Sequence, residues 1–297
     1  MMEEKTLREI LRIDSPPDGH WVGDGFPVRS LLSHRAQGDL VSPFLLLDYA
    51  GPTDFPPAAT PRGVGAHPHR GFETVTLVLD GEIAHRDSTG AGGVIGPGDV
   101  QWMTAGAGVL HEEMHASAFT RCGGRFEVVQ LWVNLPAAHK MTLPRYQTLL
   151  DEAIPHVDLP DEAGLFRVIA GDYAGHHGPA QTFTPMNIWD VRLDAGATAT
   201  FLLPEGHSLI LAALDGALRV NHAQSVDTAE IVVFARTGGD IVIYAERDTK
   251  FLLLSGEPIN EPVAQHGPFV MNTTDELQQA IADYRDGKFG ALPNGAG

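Results

Sequence analysis

Short apolar runs, cut by glycine and proline, set the pattern of this chain. After a polar first twenty residues, "SPFLLLDYA" (42–50) and "ETVTLVLD" (73–80) combine Thr, Val and Leu with few helix formers and predict strands. The stretch between them, "GPTDFPPAATPRGVGA", holds too much proline for regular structure. Asp80-Gly81 separates "ETVTLVLD" from "EIAHRD" (82–87) and predicts a hairpin, because a type I′ turn favours Asp-Gly at its two central positions. A Gly-Pro-Gly-Asp turn (96–99) then leads into "VQWMTAGAGVLHEEMH" and "RFEVVQLWVNLP", which close a first β-unit near Pro136.

The same pattern returns further on. "TATFLLPEGHSLILAALDGALRVNH" carries a second Leu-Asp-Gly at 214–216, and "TGGDIVIYAERDTKFLLLSG" repeats the Gly-Asp turn at 239–240. Two similar units in tandem predict an all-β protein of two barrels or sandwiches, 1–140 and 141–297. The closing stretch "NTTDELQQAIADYRDGKFG" departs from this pattern. Thr273 and Glu276 have capping-box spacing, and Leu277, Ala280, Ile281 and Tyr284 have helical spacing, so a short helix is expected at the end of the second unit.

Strand parity gathers the candidate chemistry. Residues i and i+2 share a face, so His67 and His69 of "HPHRGFETV" point together, as do His111 and Glu113 of "VLHEEMH", while Glu112 points away. Three imidazoles and a carboxylate suit one divalent first-row metal and leave positions open for chemistry. The duplication offers an internal comparison. Aligned on the Asp-Gly turns, Leu202 and Pro204 fall opposite His67 and His69; aligned on the Gly-Asp turns, Leu252 and Leu254 fall opposite His111 and Glu113. A second unit that fills these positions with apolar residues marks the four polar ones as a site and not as scaffolding. Glu73 has the parity of His69 and is a further candidate, as a ligand, as an acceptor orienting an imidazole, or as a partner of Arg70. His115 at the strand end is expected to be exposed, and His85 to be structural. Phe72, Trp102, Met103 and Trp132 are expected mostly in the core, with a part in lining an aromatic-binding pocket.

Charge and composition narrow the function classes. With 38 Asp and Glu against 20 Lys and Arg, the net charge of −18 repels a phosphate backbone, so direct nucleic-acid binding is not expected. No run reaches the roughly 18 apolar residues of a membrane span, the start lacks the apolar segment of a signal peptide, and the single cysteine, Cys122, forms no internal disulfide. A cytoplasmic monomer is the expectation.

"HPHRGFETV", "PGDVQWMTAGAGVLHEEM", "QLWVNLP" and "GEPINEPVAQHGPFVMNT", in this order, resemble the signatures of the pirins, members of the cupin superfamily. The resemblance is close over about residues 20–140 and 255–285 and loose between 150 and 250. It implies a bicupin of two jelly-roll barrels, with one metal in the N-terminal barrel alone and the ligands lost from the C-terminal one. That metal would be iron(II) first, with zinc, manganese, cobalt, nickel or copper as alternatives. The family's ligand positions fall on His67, His69, His111 and Glu113; the general cupin pattern would place its glutamate near Glu73. The activity implied is that of a quercetin 2,3-dioxygenase, acting on a flavonol-like aromatic enol and dioxygen with Glu113 as general base. The alternative implied is a non-catalytic iron-binding partner of a transcription factor or metabolic enzyme.

Overall fold

The computed structural model describes residues 7–15 and 18–293, which fold into two compact units that do not follow chain order. One comprises the described residues within 18–29, 46–151 and 259–297; the other comprises those within 1–17, 30–45 and 152–258. The expected division at 140/141 thus misses two exchanges. Strand Ile10–Asp14, in the stretch read as merely polar, pairs antiparallel with Ile231–Phe234 of the second barrel. The terminal helix belongs to the unit of the first barrel.

The first barrel is built from a seven-stranded and a four-stranded sheet. The larger runs in the order Arg145–Leu149, Val100–Thr104, Phe72–Asp80, Gly124–Asn134, Phe44–Phe55, Phe26–Ser33, His20–Val22. The smaller runs Gly63–His69, Val109–His115, Ile83–Asp87, Gly92–Ile95. The expected hairpin at Asp80-Gly81 does not form. Phe72–Asp80 is already paired on both edges, with Val100–Thr104 and Gly124–Asn134, so Ile83–Asp87 has no edge to join and enters the other sheet. Gly81, at φ +89°, makes a corner between sheets, and only glycine turns it without strain. The proline-rich stretch is also more ordered than expected: Phe44–Phe55 runs into it and Gly63–His69 starts within it.

The second barrel repeats the plan. Its large sheet holds Ser208–Asp215 between Ile231–Phe234 and Thr249–Gly256; its small sheet runs Thr198–Phe201, Ile241–Ala245, Ala217–Val220, Gln224–Asp227. Gly216, at φ +102°, makes the corresponding corner. The two corners set the true correspondence. His85 and Val220 lie equally far past the glycine; Glu113 is the cross-strand partner of the former and Ile243 of the latter. In the next pairing His111 faces His67, and Ile241 faces Phe201. The counterparts of His67, His69, His111 and Glu113 are therefore Phe201, Leu203, Ile241 and Ile243, all buried in one core cluster. Leu202 and Pro204 are one residue out of register, and Leu252 and Leu254 lie on the strand equivalent to Gly124–Asn134. An ungapped alignment cannot absorb loops of different length. In the corrected register all four polar positions are apolar in the second barrel, and so are three more: Thr76, Gln101 and Gln130 correspond to Leu211, Val232 and Leu253 of the same cluster.

The helix Thr274–Arg285 has the expected capping box, with Thr273 accepting from the Glu276 N–H and Glu276 reaching back. Leu277 and Ala280 bury its inner face with Phe269, Met271 and Phe289. No helix among the described residues is long and apolar enough to cross a membrane.

Candidate metal centre

Three imidazoles converge inside the first barrel. His67 and His69 end strand Gly63–His69, and His111 pairs directly with His67 on the neighbouring strand. Ring centroids lie 4.8 Å apart for His67 and His69, 4.2 Å for His67 and His111, and 4.8 Å for His69 and His111. One nitrogen from each falls within 4.8 Å of the others.

The hydrogen bonds fix which nitrogen each ring presents. His67 Nδ1 lies 2.8 Å from the Gly65 carbonyl and His69 Nδ1 3.4 Å from the Pro268 carbonyl. A carbonyl only accepts, so both Nδ1 atoms carry the proton and both Nε2 lone pairs are free. His111 Nδ1 lies 3.3 Å from His85 Nδ1, and its Nε2 is buried without a partner. Leaving such a group unpaired costs about 1–3 kcal/mol. A cation in reach of three Nε2 atoms removes that cost, so the donor set fits a metal. Burial, and then the neighbouring imidazoles, hold His69 and His111 well below the ordinary histidine range. Both are neutral at pH 7, the form that ligates.

Glu113 does not complete a single four-residue group. Its carboxylate clusters with His111 and His85, so two three-residue groups share His111. A bulge between His111 and Glu113, whose partners are His67 and Val64, re-aims the glutamate. Oε1 accepts from Gln101 Nε2 at 3.3 Å and Oε2 lies 3.5 Å from Gln130 Nε2, while Thr76 Oγ1, 3.1 Å from Oε1, has the closer acceptor in Gln130 Oε1 at 2.6 Å. His85, read from sequence as structural, is fully inside this group. Its Nδ1 lies 3.1 Å from Gln101 Nε2, its Nε2 lies 3.4 Å from Asp87 Oδ2, and Tyr146 stacks on its ring. A signal was present: His85 and Asp87 alternate on one strand face, as do His67 and His69, and valine replaces His85 in the other barrel.

Several other expectations are corrected. Glu73 does not join the histidines, because the Arg70-Gly71 turn resets parity and places it on the opposite sheet face from Thr76. There it accepts from Thr104 Oγ1 at 2.7 Å, and burial pushes its carboxyl up to about 7. Arg70 pairs with Asp283 at 2.8 Å instead of Glu73. His115 is buried, not exposed: it bonds the Gly25 carbonyl at 3.0 Å and packs among Phe55, Phe119 and Phe126. Among the candidate aromatics, Trp132 stands 5.3 Å from His69 with Phe72 behind it at 4.4 Å, while Trp102 is buried in the core. Trp132, Val28, Leu46 and Val64 line an apolar cavity of about 270 Å³ that opens on His67, His69 and Glu113.

Comparison with known proteins finds relatives over most of the chain. Residues 25–133 match the family described as Pirin, and residues 188–290 match the Pirin C-terminal cupin domain. The chain is 55% identical over 283 residues to a Pseudomonas aeruginosa protein named "Putative quercetin 2,3-dioxygenase", covering 95% of this chain and 99% of that one. It is 40% identical over 259 residues to human Pirin, covering 84% of this chain and 83% of that one. A crystal structure of quercetin 2,3-dioxygenase from Acinetobacter baumannii is similar with a TM-score of 0.94 and 50% identity, over 96% of this chain and 99% of that one. Two barrels on one plan, matched in both halves, make this chain a member of the pirin family, a bicupin.

Proposed function

We propose that this protein is a metal-dependent dioxygenase of flavonol-like substrates, of the quercetin 2,3-dioxygenase type, which opens the enol-bearing ring with dioxygen and releases carbon monoxide. The observation that carries this reading is the apolar cavity whose inner end is formed by two imidazoles and one carboxylate. The relatives and solved structures named for this activity support it.

In this reading His67, His69 and His111 would hold a divalent metal through Nε2, with Glu113, from the group that shares His111, as the further oxygen donor, and iron(II) is the first candidate among the metals such donors accept. When bound, that ion would supply Lewis acidity for the enol and redox chemistry for dioxygen. The chain does the rest. Val28, Leu46, Val64 and Trp132 take the aromatic rings and exclude water, which strengthens every charge interaction inside. The carboxylate of Glu113 receives the enolic proton. Gln101 donates to its Oε1 at 3.3 Å and only the longer Gln130 contact reaches Oε2, so Oε2 is the better placed acceptor. Holding substrate beside a fixed base in this way replaces a collision with a positioned step.

The test is selectivity. Iron-loaded protein is expected to consume quercetin and leave untouched the flavone that lacks only the 3-hydroxyl. Equal consumption of both, or of neither, contradicts the proposal.

A further inference from the structure

We infer that His85, backed by Asp87, is a positioning residue that holds His111 in the one tautomer able to present Nε2 to the centre. The inference rests on the metal reading above.

The path begins in the turn after strand Ile83–Asp87. Asp87 Oδ1 accepts from the backbone N–H groups of Thr89 and Ala91 and from the Thr89 hydroxyl, so this carboxylate is fixed by its own loop. Its Oδ2 is left for His85 Nε2–H, 3.4 Å away. A proton held on Nε2 makes Nδ1 of His85 an acceptor. Two donors face that lone pair. Tyr146 Oη donates to Gln101 Oε1 at 3.1 Å, which turns the Gln101 amide nitrogen towards His85 and Glu113. The second donor is His111 Nδ1–H at 3.3 Å. With its proton committed to His85, His111 has only Nε2 to offer, and that is the atom left buried and unpartnered.

The second barrel argues that this relay serves the site and not the fold. Where the three ligand histidines are replaced by Phe201, Leu203 and Ile241, His85 and Gln101 are replaced by Val220 and Val232, and all five pack in one apolar core. A barrel without ligands has no use for the relay. Valine stands at the position equivalent to His85 there.

His85→Val and His85→Gln separate positioning from packing, since the glutamine carbonyl can still accept from His111. In metal-free protein, long-range nitrogen-15 correlation spectra are expected to show the Nδ1–H tautomer of His111 in wild type and His85→Gln, and a mixture in His85→Val. Affinity for cobalt(II), read by chelator competition, is expected to fall about 10–100-fold in His85→Val, with an altered visible absorption band, and to recover in His85→Gln. An unchanged His111 tautomer in His85→Val overturns the inference, as does an equal loss of affinity in both variants. Wild type that takes up no cobalt overturns the metal reading instead, and the tautomer comparison still decides the relay.

Discussion

Glu113 is held by three neighbours that differ in what they leave free. Gln101 neutralises part of the charge on Oε1, Thr76 packs beside it with its proton turned to Gln130, and Oε2 faces the long Gln130 contact. Replacing the carboxylate by an amide keeps the volume and removes the base. Glu113→Gln is expected to retain metal through the three imidazoles and to lose about 100-fold or more in kcat with quercetin, since general base catalysis contributes about 10²–10⁴-fold. Equal loss of metal and activity would assign Glu113 to ligation alone. Alternation within one strand was legible from sequence for His67 with His69 and for His111 with Glu113, although Glu113 groups with His111 and His85 and not with the other two imidazoles. Glu73 was misread because two residues, Arg70 and Gly71, leave the strand between it and His69. His85 was missed because its partners, Asp87, Gln101 and His111, come from three strands whose adjacency a periodic pattern does not encode.

Among elements, the C-terminal segment braces the strand that carries His69. The Pro268 carbonyl accepts from His69, the Arg70 and Val270 backbones bond each other, and buried Lys140 Nζ spans the Gly71 and Val270 carbonyls at 2.8 and 2.9 Å. On the helix, Asp283 receives Lys288, Arg70 and Gln279, which hold its carboxyl below the usual aspartate range. A group whose pKa is lowered by folding adds stability above its unfolded value and loses it as pH falls through the folded one. Asp283→Asn is therefore expected to melt below wild type at neutral pH, with the gap closing as pH drops below the ordinary carboxylate range; a gap independent of pH would refute the charge account. The helix and its capping box were legible because local spacing fixes them. The corner at Gly81 was not, because whether Asp-Gly makes a hairpin or a change of sheet depends on which strand edges are already taken.

At the scale of the molecule, two barrels share one strand plan and differ in what fills them. Burying a large aliphatic or aromatic side chain is worth about 1.5–3 kcal/mol, and the second barrel uses that gain at the positions where the first keeps imidazoles and amides. One metal per chain follows, measured by elemental analysis; two per chain would show that an apolar interior does not exclude a second site. The duplication was visible in the repeated Leu-Asp-Gly and Gly-Asp turns, yet the exchange of terminal segments between units was not, since it depends on long-range pairing such as Ile10–Asp14 with Ile231–Phe234. The chemistry is assigned to the first barrel's histidines. The direct measurement is carbon monoxide released per quercetin consumed by metal-loaded protein. One molecule for each quercetin in wild type and none in His67→Ala is the expected result; equal release by both, or none from fully metal-loaded wild type, would contradict it.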